Sequence, residues 1–575
     1  MNLLRNSGLF VAAAALGAAT FLASCSDEFL TPSVPSALTA DALSSPAGIQ
    51  GAIVGAYSQL SGRGSRFGSY NWVSGSIQGG DANKGTETGD FVAINEVVEY
   101  QLQTTSRLPS DKWNQNYNGA VAANAAINIA LRSEDPTVTE SFRNNMVGQG
   151  IFLRSHYFFE LYKHFENFVY FDENTPALEY STQPNMNMLD AVISDMARAV
   201  DLLPETQGAL GMANRWAART YHAKMLMFAG RYADALPILK DVMENGKTSG
   251  GADYQLLDNY SDVFNAEFDN NAESIFAIQA AANTGSVNNA NYAFDLAHLQ
   301  GTPIGGCCGF WQPSFDLVDS YRVDDDGLPF TDGSYRDPAN RIASDLNVES
   351  ADAFTVDGKP VDPRLDHGVG RRGIPYLDWG PHQGKAWIRD QAHGGPFSPK
   401  KFIYYSRQTG TLQDGSSWTS GYTAMNFNIL RYADVLLLAA EAAAQTDDLD
   451  LAKDLVNMIR MRAANEDSWV KNDDGSNAAN YQIGMYDSFD SKAEALEKVY
   501  FERKLELSNE GHRFFDLVRW DRAADFLPGY IDYEEQFLPL QFGNATFNAN
   551  QDRFWPIPQT QIDLQQGVLT QNSGY

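Results

Sequence analysis

The chain has 575 residues and a formal net charge of −30 at neutral pH. That length allows a large core and two to four domains, while the acidic balance excludes nucleic acid as a partner, because phosphates are repelled rather than neutralised, and argues against contact with anionic lipid headgroups. Of three cysteines, Cys307 and Cys308 are neighbours, so no stabilising disulfide framework is expected and the pair reads as small apolar side chains in a glycine-rich loop.

In chain order, the first feature is an apolar run over 9–22, preceded by Arg5, free of acidic residues and ending in Leu22-Ala23-Ser24-Cys25. A charged start, an alanine-rich centre and small residues before a cut read as a secretory signal over 1–24, too short to span a bilayer comfortably. A cysteine directly after Leu-Ala-Ser resembles the bacterial lipobox, in which that thiol is lipid-modified and becomes the new N-terminus. Each buried methylene contributes about 0.8 kcal/mol, so several acyl chains on Cys25 would anchor the protein firmly. An ordinary signal peptide with an incidental cysteine is the plain alternative. Residues 25–45, with Pro32 and Pro35, read as a polar leash, and 46–575 as the body.

Helical periodicity marks 46–60, then, after a glycine-rich loop over 62–89, 113–131, 141–165, 189–203, 215–229 and 232–245. In the last two, small residues at Ala218, Gly230 and Ala235 let antiparallel helices approach closely, with Tyr221, Phe228 and Tyr232 filling the gaps, which resembles a tetratricopeptide unit. A second pair is expected at 430–444, opening near 427, and at 449–464. No regular period links the two pairs, which predicts a scattered helical scaffold rather than an uninterrupted solenoid. Between them, 246–426 is rich in Gly, Pro, Asn and Asp and loses helical periodicity except over 315–321, as functional loops and irregular inserts do. The end, 527–575, again reads as loop. The expected fold is mainly α: tetratricopeptide-like helical pairs in an N-terminal part (46–245) and a C-terminal part (427–575), around a loop-rich irregular insert (246–426).

The densest pattern runs from Phe501 to Trp520. Glu502, Glu506 and Glu510 fall at i, i+4 spacing on one helical stripe, where like charges repel. Such a stripe persists only if cations from elsewhere neutralise it. Gly511 can end that helix in a left-handed cap, and Arg513, Asp516 and Arg519 then form an i, i+3 ladder on the next. The reading is an internal ion-pair network that locks two helices together.

Chemistry of other kinds finds little footing. A glycosidase needs two carboxylates roughly 5–10 Å apart across a cleft, and none of the 72 acidic residues stands out. The eight histidines form no His-Glu-x-x-His pattern, and Asp324-Asp325-Asp326-Gly327 lacks the spaced ligands of a calcium loop, so it reads as a solvated acidic turn. Neither a complete phosphate-cradling Gly-x-x-x-x-Gly-Lys-Ser/Thr motif nor a nucleophile elbow is present; no catalytic residue, metal or cofactor is expected. Binding remains. A sugar ring has an apolar face and a rim of hydroxyls, so its site needs flat aromatics beside amides and charges. One loop supplies Tyr70, Trp72, Asp81 and Asn83; another runs from Asn288-Asn289-Ala290-Asn291-Tyr292 to Phe310-Trp311-Gln312. Trp72 equally fits the start of a helix in the core, and Trp311 a staple for the helix that follows it. Trp379 and Trp418, in loops rich in Gly and Asp, are further candidates.

The Phe501–Trp520 block closely resembles the C-terminal signature of the SusD/RagB family, the surface nutrient-binding lipoproteins of Bacteroidetes. Asn428-Ile429-Leu430-Arg431-Tyr432-Ala433-Asp434 through Ala442, Phe152-Leu153-Arg154-Ser155-His156-Tyr157, the set Trp113, Tyr117 and Asn124, and Phe554-Trp555-Pro556 through Tyr575 are similar to four further family blocks. Ser26-Asp27-Glu28-Phe29 resembles the acidic signal that sends such lipoproteins to the cell surface. The resemblance implies a lipid-anchored protein facing outward from the outer membrane, not an enzyme. Its ligand, most readily an oligosaccharide, would pass to a SusC-like TonB-dependent transporter, with loops from the two regions above forming the ligand surface. A peptide ligand, as in the RagB branch, is the alternative, and a surface glycoside hydrolase a more distant one. Replacing Cys25→Ala is expected to abolish lipid attachment and release the protein from membranes; a mutant that still fractionates with the outer membrane and carries lipid contradicts the lipobox reading.

Overall fold

The computed structural model describes residues 40–62, 66–291, 293, 295–300, 304 and 307–575. The secretory signal, Cys25, the Asp27-Glu28 pair and Tyr292 lie outside the described residues. Residues 40–44, expected within the leash, form a helical turn.

Helix α1 (Pro46–Ser58) starts where Ser45 accepts the Gly48 N–H and proline takes the first position, which needs no donor. Helices α2 (Arg107–Arg132) and α3 (Glu140–Phe165) pack against it and each other. Every residue of α3 from Met146 to Leu161 is buried, so α3 is an internal pole rather than a surface helix. Its polar groups are therefore satisfied within the protein: Arg154 reaches Asp195 at 2.6 Å and Glu173 at 2.9 Å. Helices α4 (Leu189–Leu202), α5 (Arg215–Phe228) and α6 (Tyr232–Asn245) follow, each packed on its predecessor. Gly230, at φ 69°, makes the α5–α6 turn in a conformation that a side chain would strain.

After the short α7 (Phe315–Ser320), the second pair forms from α8 (Tyr432–Gln445) and α9 (Leu449–Ala463). Helix α6 packs on α8, so the helical run is continuous in space although the whole insert interrupts it in sequence, where a scattered scaffold was expected. Helices α10 (Lys492–Glu506), α11 (Arg513–Arg519) and α12 (Ala523–Glu535) complete the C-terminal part. The end is less loop-like than its sequence suggests. Helix α12 continues past Pro528 because Leu527, Tyr530, Ile531 and Tyr533 bury one face, and Glu534 accepts the Asp316 and Phe315 N–H groups at the start of α7. A last helix, α13, spans Gln559–Leu564.

Three small antiparallel ribbons tie the insert to this scaffold: β1 (Ala82–Gly85) with β3 (Phe310–Pro313), β2 (Ser274–Ile278) with β6 (Phe427–Arg431), and β4 (Val369–Gly370) with β5 (Ser398–Pro399). Residues 427–431, expected to open a helix, are thus a strand; Arg431 is still extended, and α8 begins only after it.

The acidic stripe of α10 is neutralised as its spacing demands. Glu502 meets Arg364 at 2.6 Å and Arg460 at 3.0 Å. Glu506 meets Arg431 at 2.8 Å and Arg364 at 3.2 Å, and also pairs with Arg462. Glu510 takes Arg431 at 2.6 Å and Lys401 at 2.8 Å. Helix α10 ends at Glu506, so Glu510 follows in the turn and Gly511, at φ 83°, closes that turn rather than the helix. Burial alone would raise the Glu506 carboxyl, but Arg462, Arg431 and Arg364 outweigh it and hold it well below the usual carboxylate range. A second cluster joins α5, α8, α10 and α11: Lys224–Asp434 at 2.8 Å, Arg503–Asp434 and Arg503–Asp516 at 2.9 Å, and Arg519–Asp516 at 2.8 Å. Arg513 departs from the expected ladder. It forms no ion pair there and lies instead over the rings of Phe526 and Trp520.

Removing one partner of a buried pair strands the other's charge. Glu506→Ala is expected to lower the unfolding free energy by about 3–5 kcal/mol, whereas Arg107→Ala, which breaks an exposed pair with Asp111, should cost less than about 1 kcal/mol. Denaturant titrations that move both midpoints equally contradict a structural role for the network.

Candidate ligand-binding surface

Tyr70, Trp72, Asp81, Asn83 and Trp311, read from sequence as ligand contacts, lie inside the body. Trp72 opens a π-helical stretch, Trp72–Ile77, whose Gly75 sits so close to Gly511 that a Cβ there would stand 2.0 Å from the Gly511 carbonyl oxygen. The Trp72 ring lies 5.6 Å from that of Trp311, Trp311 stacks on Phe402 at 5.2 Å, and Phe402 leads through Phe427 to Tyr70. This aromatic column runs under the insert loops, so Tyr70, Trp72 and Trp311 are core rings in this conformation. Asp81 accepts the Asn509 N–H at 3.0 Å, and burial raises its carboxyl above the usual range. Asn83 donates to the Gly394 carbonyl at 3.1 Å and accepts from the Gly85 N–H. Trp311, read from sequence as a ligand contact, is corrected: β3 pairs with β1 there and the indole is buried.

Lys84 Nζ donates to the carbonyls of Glu87, Thr88 and Asp90 at 2.8–3.1 Å, which closes the 84–90 loop around an ammonium, and Arg389 joins that loop to the insert through Glu87 and Asp90, both at 2.7 Å. Thr86 N–H bonds the Gly309 carbonyl at 2.7 Å. Beside Gly309, the neighbouring Cys307 and Cys308 bring their sulfur atoms together.

Trp379, a further candidate, is half-buried; its Nε1 donates to the Tyr404 carbonyl at 3.0 Å and its ring meets that of Tyr404 edge-on at 5.7 Å. The Tyr404 hydroxyl donates to the Ile304 carbonyl at 3.0 Å and lies near Ser420, two residues from Trp418, and Trp418 is 65% exposed. Thr419 is fixed by His298 Nε2 at 2.6 Å and donates to the Asp295 carbonyl, while Asn283 donates to the carbonyls of Thr411 and Gln413, tying the segment before the exposed Asn288 and Asn289 to the same loop. Next to Trp379, Arg407 lies 4.1 Å from the centre of the Tyr405 ring and pairs with Glu267 and Asp378. The arrangement offers a flat exposed indole, a second half-buried one and a charged rim, which suits stacking and hydrogen bonding rather than bond cleavage. Sequence reasoning missed Tyr404, Tyr405 and Arg407, although two tyrosines beside an arginine in a glycine-rich insert were a usable signal. Among the described residues no group of His, Cys, Asp and Glu is placed to hold a metal ion, and no helix is long and apolar enough to cross a membrane.

Residues 272–575 match the model of the SusD family, and 29–227 match one described as starch-binding and associating with the outer membrane. SusD-like protein P2 of Formosa agariphila is 23% identical over 539 residues, 92% of either chain. Among solved structures, a laminarin-binding SusD-like protein superposes with a TM-score of 0.64 at 19% identity, over 92% of this chain and 99% of its own. Surface glycan-binding protein A from Bacteroides thetaiotaomicron, in complex with laminarihexaose, superposes with a TM-score of 0.61 at 19% identity, over 91% and 98%. Trp311→Ala is expected to lower stability by about 3–5 kcal/mol, as truncation of a buried aromatic does; a normal melting temperature with lost ligand affinity would return Trp311 to the binding surface.

Proposed function

The chain belongs to the SusD family, and on that premise we propose that it is a cell-surface lipoprotein that captures an oligosaccharide and passes it to a SusC-like TonB-dependent transporter in the outer membrane. Lipidated Cys25 would hold it there, with 25–45 as leash and 46–575 as the binding body. The observation that carries the reading is the exposed indole of Trp418 on a loop surface with Trp379 and a charged rim: a flat ring takes the apolar face of a sugar, and side-chain amides and carboxylates take its hydroxyls. The laminarin and laminarihexaose named for two structural neighbours support a glycan over a peptide. Delivery needs no covalent chemistry: the protein acts as a lid that opens to admit ligand and closes over the transporter.

A panel of soluble glucan, mannan and xylan oligosaccharides, with hexapeptides alongside, tests this by calorimetry. Saturable binding of one glycan class is expected, and Trp418→Ala should weaken it roughly tenfold or more with an unchanged melting temperature. Binding of peptides and of no glycan, or full affinity in the Trp418 variant, overturns the assignment.

A further inference from the structure

A pocket of about 200 Å³ opens between the 331–336 turn and helices α10, α11 and α12, and shares no residue with the Trp418 surface. It falls below the about 300–1,000 Å³ of sites for drug-sized ligands, so it suits one ring or side group. Tyr335, Tyr500, Phe501, Trp520 and Phe526 contribute its rings. Its interior polar groups are cationic. Lys504 Nζ reaches Asp316 Oδ2 at 2.7 Å and Arg336 Nε donates to Asp316 Oδ1 at 2.7 Å, so one carboxylate already serves two cations. Arg513 is the third. Its guanidinium stands 4.8 Å from the centre of the Phe526 ring, and among the described residues it has neither an ion-paired carboxylate nor a hydrogen-bond acceptor, with Nε buried. Asp81, the acid whose field it feels most, makes no contact with it, and burial disfavours ionisation of that carboxyl. Burial also pulls the Lys504 ammonium below the usual lysine range, and although Asp316 opposes this, Arg513 and Arg336 add to it. Asp332 and Asp525, the acids on the pocket wall that no lining cation pairs closely, are solvent-exposed. The interior therefore carries a net positive charge under aromatic walls.

We propose that this pocket is an anion site for a single hexuronate unit: Arg513 takes the carboxylate as a planar fork, Lys504 and Arg336 supply field, and Phe526 covers the apolar face of the ring. A planar carboxylate matches a guanidinium better than a tetrahedral anion does. The site is independent of the Trp418 surface, and a Trp418→Ala protein serves as the background in which the two are separated.

Full-length Trp418→Ala protein is titrated with D-glucuronate, D-glucose and inorganic phosphate by calorimetry, with the change in intrinsic tryptophan fluorescence that a Trp520→Phe variant removes as a second readout. Glucuronate is expected to bind about tenfold or more tighter than glucose or phosphate, as a charged hydrogen bond provides, and Arg513→Gln should erase that preference. Equal binding of all three, no glucuronate binding, or a preference that survives in a folded Arg513→Gln variant overturns the proposal. If that variant does not fold, a crystal of the parent protein soaked in glucuronate decides: the sugar carboxylate against Arg513 supports the site, and an empty pocket refutes it.

Discussion

Three carboxylates at i, i+4 spacing inside a protein are an electrostatic liability, and the way this chain discharges it organises everything else. Glu502, Glu506 and Glu510 are met by Arg460 and Arg462 from α9, Arg431 from β6, and Arg364 and Lys401 from the insert. Cations from three parts of the sequence converge on one stripe, so the insert, the strand that closes it and the C-terminal helical pair must arrive together. A buried network of this kind contributes little net stability over a well-packed apolar core, because desolvation consumes much of the attraction. Its effect is conditional: every alternative docking of the insert leaves a buried charge without its partner.

That requirement carries through to the surface. Lys401 and Phe402 are adjacent, so the residue that caps Glu510 fixes the ring on which Trp311 stacks. Trp72 and Tyr70 extend the column towards the π-helical stretch, and Asp81 and Gly511 join that stretch to the turn after α10. The loops that bear Trp379 and Trp418 are held by bonds to Tyr404, Thr419 and Asn283. A rigid floor under irregular loops is what allows loops to present ligand groups at fixed spacing.

The helices were legible because their signals are local. Residues 189–203, 215–229 and 232–245 carry amphipathic periodicity that needs no knowledge of the rest of the chain, and the acid stripe announced its cations by simple repulsion. The failures arise where distant segments decide. Phe427-Asn428-Ile429-Leu430-Arg431 continues an apolar pattern that a helix could use, and only pairing with 274–278 makes it a strand. Trp311 could be read as a ligand contact for want of one fact, that 310–313 pairs with 82–85. Arg513 fits an i, i+3 ladder, but Asp516 is already held by Arg503 and Arg519, so the third guanidinium turns towards Phe526. Trp418 could be named as a loop aromatic, yet its exposure depends on Thr419 being tied down by His298, more than a hundred positions away.

Hydrogen–deuterium exchange of the full chain, with and without a saturating oligosaccharide, tests the central claim most directly, because it reads every segment at once. The account predicts ligand-dependent protection in peptides covering 378–390 and 404–421, with α3, α8 and α10 already slow and unchanged. Protection concentrated in the helical run, with those loops unaffected, would contradict it.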